Sequence, residues 1–524
     1  MLIVRDIKLP IDTDFICLQS AIERKLNIKV QSVKLYKKAI DARNKENIFF
    51  NCSVLIKTEN ETLALKKLKK LNVQIFNSEP YIFPKANRKT KRPIVVGFGP
   101  AGMFLALSLA KAGLCPIVLE RGRDVDSRTA DVERFFKTND LDENSNIQFG
   151  EGGAGTFSDG KLNTGIKDPR IRTVFETFVC HGADECILYD AKPHIGTDVL
   201  VKVVKSIRQE IIALGGEVLF RHRLTDLQLK NGKVCGVTVQ TPNGQKEFKC
   251  DSVALCIGHS ARDSFELLHK KGFILQPKPF AVGARIEHSQ GFIDRAQYGK
   301  FAGHPNLGAA DYKLAVHLGD GRGVYTFCMC PGGEVVNASS EKGRVAVNGM
   351  SYNARNGKNA NSAVLSEVTV EDYFKNHVLD GMYFQREIEE KAYKFGNGLP
   401  ISQSVGEFLC VAKSDGSVEP TVKSGSTFGN ISDCSPPFVT EALKEGLLLL
   451  DRKLAGFASK NAILTAPETR SSSPIRVVRN EQGQASFEGV YSVGEGAGYA
   501  GGITSAAVDG LKAAEKIVSA INNI

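Results

Sequence analysis

No apolar run in this chain comes near the roughly 20 residues that a membrane-spanning helix needs. The opening residues, Met1-Leu2-Ile3-Val4-Arg5-Asp6, lack the basic-then-apolar pattern of a secretory leader. These two absences set the expectation of a cytoplasmic protein with no membrane span. The twelve cysteines include no C-x-x-C pair and no metal-finger spacing, which excludes a zinc module and leaves no metal-ligand set to assign. In a long cytoplasmic chain such cysteines are expected reduced rather than cross-linked. Internal repeats and low-complexity tracts are also missing, so solenoids and biased tails are excluded.

What is present is a globular balance: 42% hydrophobic and 24% charged residues, over 524 residues. That length suits two to four domains. The net charge of +10 sits entirely in residues 1–91, where nineteen Lys and Arg face nine Asp and Glu. The remainder holds 49 of each sign. A nucleic acid, an anionic partner or an acidic substrate could use this basic segment. A solvated helix face, Lys66-Lys67-Leu68-Lys69-Lys70, followed by a basic connector, Lys85 to Arg92, is the simpler account.

The first segment alternates strand and helix patterns. Leu2–Val4 is an apolar run, and Asp14 to Leu26 carries Phe15, Leu18, Ile22 and Leu26 at helical spacing. Strand-like runs follow at Val30–Tyr36 and Asn47–Ile56. A second helix over Glu61–Leu71 is expected to present Leu63, Leu65, Leu68 and Leu71, before a strand at Val73–Phe76. The order β-α-β-β-α-β predicts a ferredoxin-like α+β domain over 1–88, in topology only, since Cys17 and Cys52 cannot ligate a cluster alone.

Past the connector, Ile94-Val95-Val96 runs directly into Gly97-Phe98-Gly99-Pro100-Ala101-Gly102. A helix pattern follows, with Met103, Leu105, Ala106, Leu109 and Ala110 on its apolar face, then Gly113, the strand Pro116–Leu119 and Glu120. In this context the glycine turn is a Rossmann dinucleotide site. Gly97 allows the tight turn, Gly99 lets the backbone approach a pyrophosphate, and Gly102 lets helix and strand pack closely. The helix N-terminus offers free N–H groups to the phosphates. Glu120 is placed to accept from an adenosine ribose and disfavours a 2′-phosphate. Arg121 beside it joins the cofactor-binding set.

Three further stretches narrow the dinucleotide. Tyr491 to Ile503, with Gly494, Glu495, Gly498, Gly501 and Gly502, is similar to the C-terminal flavin signature of two-part FAD flavoproteins. That likeness implies that Glu495 bonds the ribityl chain and that N–H groups at Gly502 and Ile503 face the isoalloxazine; the family more often has Asp at the Glu495 position. Val253 to Ser260 resembles the strand that ends in glycine, here Gly258, on the way back to the ring. Gln148 to Thr156, with Gly153 and Gly155, resembles the loop that runs beside pyrophosphate and flavin; Lys161 follows it as a candidate for the cofactor phosphates.

Together with Ser158-Asp159-Gly160-Lys161-Leu162, Pro279 to His288, Cys330-Pro331-Gly332-Gly333 and Thr469 to Pro474, these stretches resemble a bacterial family of uncharacterised FAD-dependent dehydrogenases. The likeness covers nearly the full length. It implies FAD and an α/β fold: a split, glutathione-reductase-like Rossmann domain with an inserted mixed α+β domain and the N-terminal ferredoxin-like one. The expected boundaries are 1–88, then 92–276 for the first FAD-binding part, 277–470 for the inserted cap and 471–524 for the second FAD-binding part. Helices are expected in the insert at Thr369–Asn376 and Phe384–Lys394.

Between residues 130 and 480 there is no second G-x-G-x-x-G followed by strand and acid. Electrons must then come from the substrate, from an NAD(P)H that docks transiently, or from an electron carrier. The catalytic candidates are Arg470, as a clamp for a carboxylate or phosphate, and His259, as a general acid beside the flavin. Arg285 and Arg476 are further anion-binding candidates, and His288, His304 and His317 further histidines of the insert; Asp263 follows His259. Cys328 and Cys330 form a C-x-C pair, read as structural because that spacing is awkward for a relaxed disulfide. The expected function is an FAD-dependent oxidoreductase that moves hydride through flavin N5 to or from a small organic substrate. A flavin monooxygenase is one alternative. A flavin-containing factor that binds RNA or protein through the basic N-terminal domain is another.

Overall fold

In the computed structural model, which describes residues 1–77, 79–88 and 90–523, short apolar runs become the strands of a five-stranded parallel sheet. Lys89 of the basic connector, Ser78 and Ile524 lie outside the described residues. Ile94–Val96 pairs with Val253–Leu255 on one side and Ile117–Leu119 on the other. Glu217–Leu219 extends the sheet past Ile117–Leu119, and Val490–Ser492 extends it past Val253–Leu255. The sheet is therefore completed by a strand from near the C-terminus. Ile94, Val95 and Val96 are all buried, as expected of a parallel strand covered on both faces.

The helix Pro100–Lys111 is buried from Ala101 to Ala110, because it lies against the sheet and against the closing helix Ile503–Asn523. Gly510 and Gly102 make the close approaches: a Cβ on Gly510 would strike the Ala101 carbonyl, and one on Gly102 the Gly97 carbonyl.

The second large sheet has seven strands in the order Ala315–His317, Gly323–Cys330, Asn359–Val368, Phe280–Ser289, Ile463–Glu468, Ile401–Ser404 and Thr427–Phe428. Its neighbours are antiparallel except the last pair. The chain crosses into this region and out of it along one ribbon, Leu275–Pro277 paired antiparallel with Ile475–Val477. Of the two helices expected here, the later one falls within Asp380–Phe395. The earlier one shrinks to Val370–Tyr373, since Phe374 is extended and Asn376 takes a φ of 78°.

The first 75 residues form strands Leu2–Pro10, Ser32–Asp41, Phe49–Lys57 and Val73–Ile75, with helices Leu18–Leu26 and Glu61–Lys67. Leu2–Pro10 lies between Phe49–Lys57 and Val73–Ile75, and Ser32–Asp41 forms the outer edge. The apolar face of the second helix differs from the expected one. Ala64 and Leu68 are buried, while Leu63 lies on the solvent side of the helix and Leu71 is exposed beyond its last turn, which closes at Lys67. This unit is docked rather than free: the Lys38 N–H donates to the Tyr189 carbonyl (2.7 Å), the Ala191 N–H donates to that of Lys38 (2.8 Å), and its core runs on into that of the seven-stranded sheet. The segment after it is also pinned. Tyr81 donates to Glu515 (2.7 Å), and Tyr81, Phe83 and Ala86 pack on the core of the parallel sheet. Among the described residues, no helix is long and apolar enough to cross a membrane.

Candidate functional site

One cleft, of about 340 Å³, opens at the carboxyl ends of the parallel strands and continues to the antiparallel sheet. Its first end is made almost wholly of backbone. Gly97 leaves the strand at a φ of 95°, and a Cβ there would strike the Cys256 carbonyl. Gly99 caps the following helix without a side chain, so the first N–H groups of that helix open into the cleft beside Pro100 and Ala101. Across from them stands Gly153, whose Cβ would lie 2.9 Å from the Gly99 Cα; Gly155 continues this wall against Ile503. Glu120 is buried, and its carboxylate accepts the N–H groups of Phe98 (2.8 Å), Gly122 (2.9 Å) and Gly150 (3.0 Å). One side chain thus ties the glycine turn to the Gly150–Gly155 loop. Arg121 stacks over Phe149 (4.3 Å) and pairs with Asp263, which also meets Arg223 (3.3 Å).

The middle of the cleft joins three distant segments. Gly258 ends the Val253 strand run, and His259 next to it places Nδ1 3.4 Å from Glu495. The His259 side chain is 8% exposed, and its Nε2 has no hydrogen-bond partner among the described residues. The Gly494 N–H donates to Asp509 (2.7 Å), which Arg479 holds with two hydrogen bonds of 2.8 Å. The closing helix starts at Ile503, so a second helix N-terminus opens on the cleft at Gly501, Gly502 and Ile503. A Cβ on Gly502 would meet nothing within 4 Å.

The far end is made of side chains from Lys161, Asn163, Phe327, Cys328, Asn348, Glu468 and Arg470. Arg470 does line the cleft, but it is not a free clamp: Glu389 accepts from its Nε (3.1 Å) and Nη2 (2.9 Å), and Ser340 takes a third hydrogen bond. Arg262 approaches the same carboxylate from the other side, at 2.7 and 2.8 Å, and reaches Glu341 at 2.6 Å. Burial alone would raise the Glu389 carboxyl; the two guanidinium groups outweigh it and hold the carboxyl far below its usual range. Arg285 is likewise spent, fully buried on Glu468, Asn361 and Asn348. Arg476 stacks on Tyr499 (5.1 Å). Lys161 stands 3.9 Å from Asp159, which Arg355 and Ser351 also bind. Its charge also reaches Cys328.

The other histidines named from sequence lie elsewhere. His288 is buried against Phe292 and Phe457 and bonds the Phe457 carbonyl (2.8 Å); burial pushes its ring down to about 4. His304 reaches Asp12 of the N-terminal unit (3.0 Å), and His317 is exposed. Sequence reading missed His222 and Leu224, which line the cleft just after the strand Glu217–Leu219. The rule that ligands sit beyond the carboxyl ends of parallel strands was the available signal. It also missed Glu389, Glu468 and Asn348, which no local motif marks.

This cleft, with two helix N-termini opening on it at the carboxyl edge of a parallel sheet, is that of a nucleotide-cofactor protein. Residues 279–471 match the family model described as FAD-dependent protein, C-terminal domain-like, and residues 1–57 match a domain of unknown function. An uncharacterized protein of Clostridium beijerinckii is 46% identical over 98% of both chains. The chain belongs to the family of that clostridial protein, a family of FAD-dependent proteins. Among solved structures, a geranylgeranyl bacteriochlorophyll reductase-like protein of Thermoplasma acidophilum is 13% identical, with 83% of this chain and 79% of that one covered and a TM-score of 0.39. A glycerol-3-phosphate dehydrogenase of Bacillus halodurans complexed with FAD is 12% identical, with 84% and 65% covered and a TM-score of 0.35. Superpositions this loose carry no argument of their own.

The cofactor is FAD. The cleft fits it on its own terms. The Gly99–Gly153 wall holds no side chain where a diphosphate would pass, Gly501 and Gly502 leave their side of the cleft open, and the orphaned His259 Nε2 awaits a polar partner.

Proposed function

We propose that this protein is an FAD-dependent oxidoreductase that moves hydride to or from a small organic substrate held where the FAD cleft meets the antiparallel region. Bound FAD supplies the hydride chemistry at its N5. The chain's own residues bind and orient. N–H groups at Ala101 and Gly102 take the diphosphate, and Glu120, aimed by three backbone amides, takes the ribose hydroxyls. Arg121, Gly153, Gly155 and Gly258 complete the adenosine and diphosphate wall, with Gly97, Gly99 and Pro100 shaping the turn. Glu495, braced by His259, faces the ribityl chain; the amides of Gly502 and Ile503 stabilise negative charge at the ring. On this reading the His259 ring, 3.4 Å from Glu495, orients that carboxylate, and Arg470 positions the cleft wall.

The observation that carries the proposal is the continuity of one cleft from the backbone-built Gly97 turn to charged side chains of a separate sheet. The N-terminal unit, with its 2-3-1-4 strand order, supports a ferredoxin-like domain, and the ribbon at Leu275–Pro277 supports an insert over about 277–470. The test is anaerobic reduction of the purified protein with NADH, NADPH and a panel of small metabolites. Bleaching of the yellow protein by one donor, with slow reoxidation in air, is the expected result. Rapid reaction with oxygen and a hydroxylated product would move the chain to the monooxygenases. A colourless protein that cannot be loaded with FAD would sink the proposal.

A further inference from the structure

Two cysteines at the far end of the cleft take no part in the hydride scheme. The strand Gly323–Cys330 pairs with Asn359–Val368 in register as far as Phe327 opposite Ala363, then slips and resumes with Cys330 opposite Asn361. One extra residue is accommodated there, a β-bulge, and Cys328 takes a φ of 44°, rarely adopted by a residue with a side chain. The bulge changes what a C-x-C spacing can do. In an unbroken strand residues i and i+2 lie about 6.7 Å apart, at the far limit of the roughly 4.4–6.8 Å that a disulfide spans between Cα atoms. Here the chain folds back on itself, and the Cys330 thiol donates to the Cys328 carbonyl at 3.3 Å. The regular strand spacing that argued against a disulfide therefore does not apply at this pair.

The two thiols are also unlike. Cys328 lines the cleft and is partly exposed, and Cys330 is fully buried. Arg285 donates to the Cys328 carbonyl (2.9 Å) and approaches the Cys330 sulfur (3.9 Å). The Cys330 thiol beside the Cys328 sulfur, with the charges of Lys161 and Arg285, holds the Cys328 thiol below its ordinary range. The same side-chain pairing and burial hold Cys330 above it. A cleft-lining, partly exposed cysteine whose thiol pKa is lowered, beside a buried one whose thiol pKa is raised, is the asymmetry of an attacking and a resolving cysteine.

We propose that Cys328 and Cys330 form a dithiol–disulfide pair that exchanges two electrons with FAD in the cleft. This rests on the FAD-dependent reading above. Closing the pair joins the Cys328 thiolate sulfur to the Cys330 sulfur, frees the Cys330 proton and releases two electrons; the oxidised form of FAD accepts both electrons and that proton. Opening the pair takes them back from the reduced form.

The experiment uses full-length protein carrying FAD, oxidised with diamide, freed of excess oxidant and titrated anaerobically with dithionite. The wild type is expected to consume about four electron equivalents per FAD, with a lag before the yellow colour bleaches, and C328S and C330S about two with no lag. Alkylation and mass spectrometry of the peptide containing both cysteines should show it blocked after diamide and doubly alkylated after the titration. A wild-type protein that holds FAD, takes up about two equivalents and keeps both thiols alkylatable after diamide overturns the proposal. Closure of the pair in a protein that cannot hold FAD overturns the coupling and the FAD-dependent reading together. The alkylation arm needs no variant, so it decides the matter even where C328S fails to fold.

Discussion

The two ends of the cleft are built from different materials. At the Gly97 end the working groups are backbone amides, glycine gaps and one carboxylate that backbone amides orient. At the Arg470 end they are buried side-chain charges: Glu389 between Arg262 and Arg470, and Glu468 on Arg285. Backbone at a helix N-terminus presents donors that need no counter-charge. Buried side-chain charge must be matched ion by ion, and removal of one partner leaves the others stranded. One end therefore tolerates no added atoms, and the other no lost ones.

Glu389→Ala should give the largest effect, since it strands two buried guanidinium groups. About 3–5 kcal/mol of unfolding free energy should be lost, read by urea denaturation. A loss as small as that of an exposed ion pair would break the comparison. Because the folded Glu389 carboxyl is held below its unfolded value, its contribution is full above the ordinary carboxylate range and is lost progressively as pH falls from that range towards the lowered folded value.

His288 gives the antiparallel region a second pH dependence. Its ring drops from 6.5 to about 4 on burial, so between those values the unfolded chain binds the proton and the native one does not. Stability should therefore fall by about 3 kcal/mol as pH drops through that window and level off below it. His288→Leu should flatten the curve; an unchanged slope would place the titration elsewhere.

At the other end, Gly102→Val puts a Cβ on the Gly97 carbonyl. The expected cost is roughly 1–3 kcal/mol, with loss of FAD from the purified protein. Full flavin content in this variant would remove the backbone argument. Lys300→Ala, which deletes an exposed pair with Glu46, should leave the unfolding midpoint within experimental error.

The same difference in material decided what the sequence disclosed. Gly97, Gly99, Gly102 and Glu120 sit within one strand-turn-helix-strand unit, so their spacing alone carries the geometry. The closing stretch Gly494–Ile503 was readable for the same reason. Glu389 meets Arg262 and Arg470 only after three distant segments converge, and no local pattern announces such a meeting. Arg470 and Arg285 were visible as arginines, but their partners were not, and the partners make them structural. The Glu61–Leu71 helix shows a smaller failure: its leucines repeat at helical spacing, yet the helix stops at Lys67 and the buried face is set by Ala64 and Leu68. His222 shows the converse, a cleft residue found from topology rather than from composition.

The ribbon formed by Leu275–Pro277 and Ile475–Val477 has a consequence for how such a chain can vary. Because the outgoing and returning segments are hydrogen-bonded neighbours, the parallel sheet experiences nearly two hundred intervening residues as though they were a single hairpin loop. The junction is not the whole attachment: Arg262 reaches Glu389 and Glu341, and Asp159 holds Ser351 and Arg355, so a change beyond the ribbon leaves the parallel sheet undisturbed only where those partners are kept.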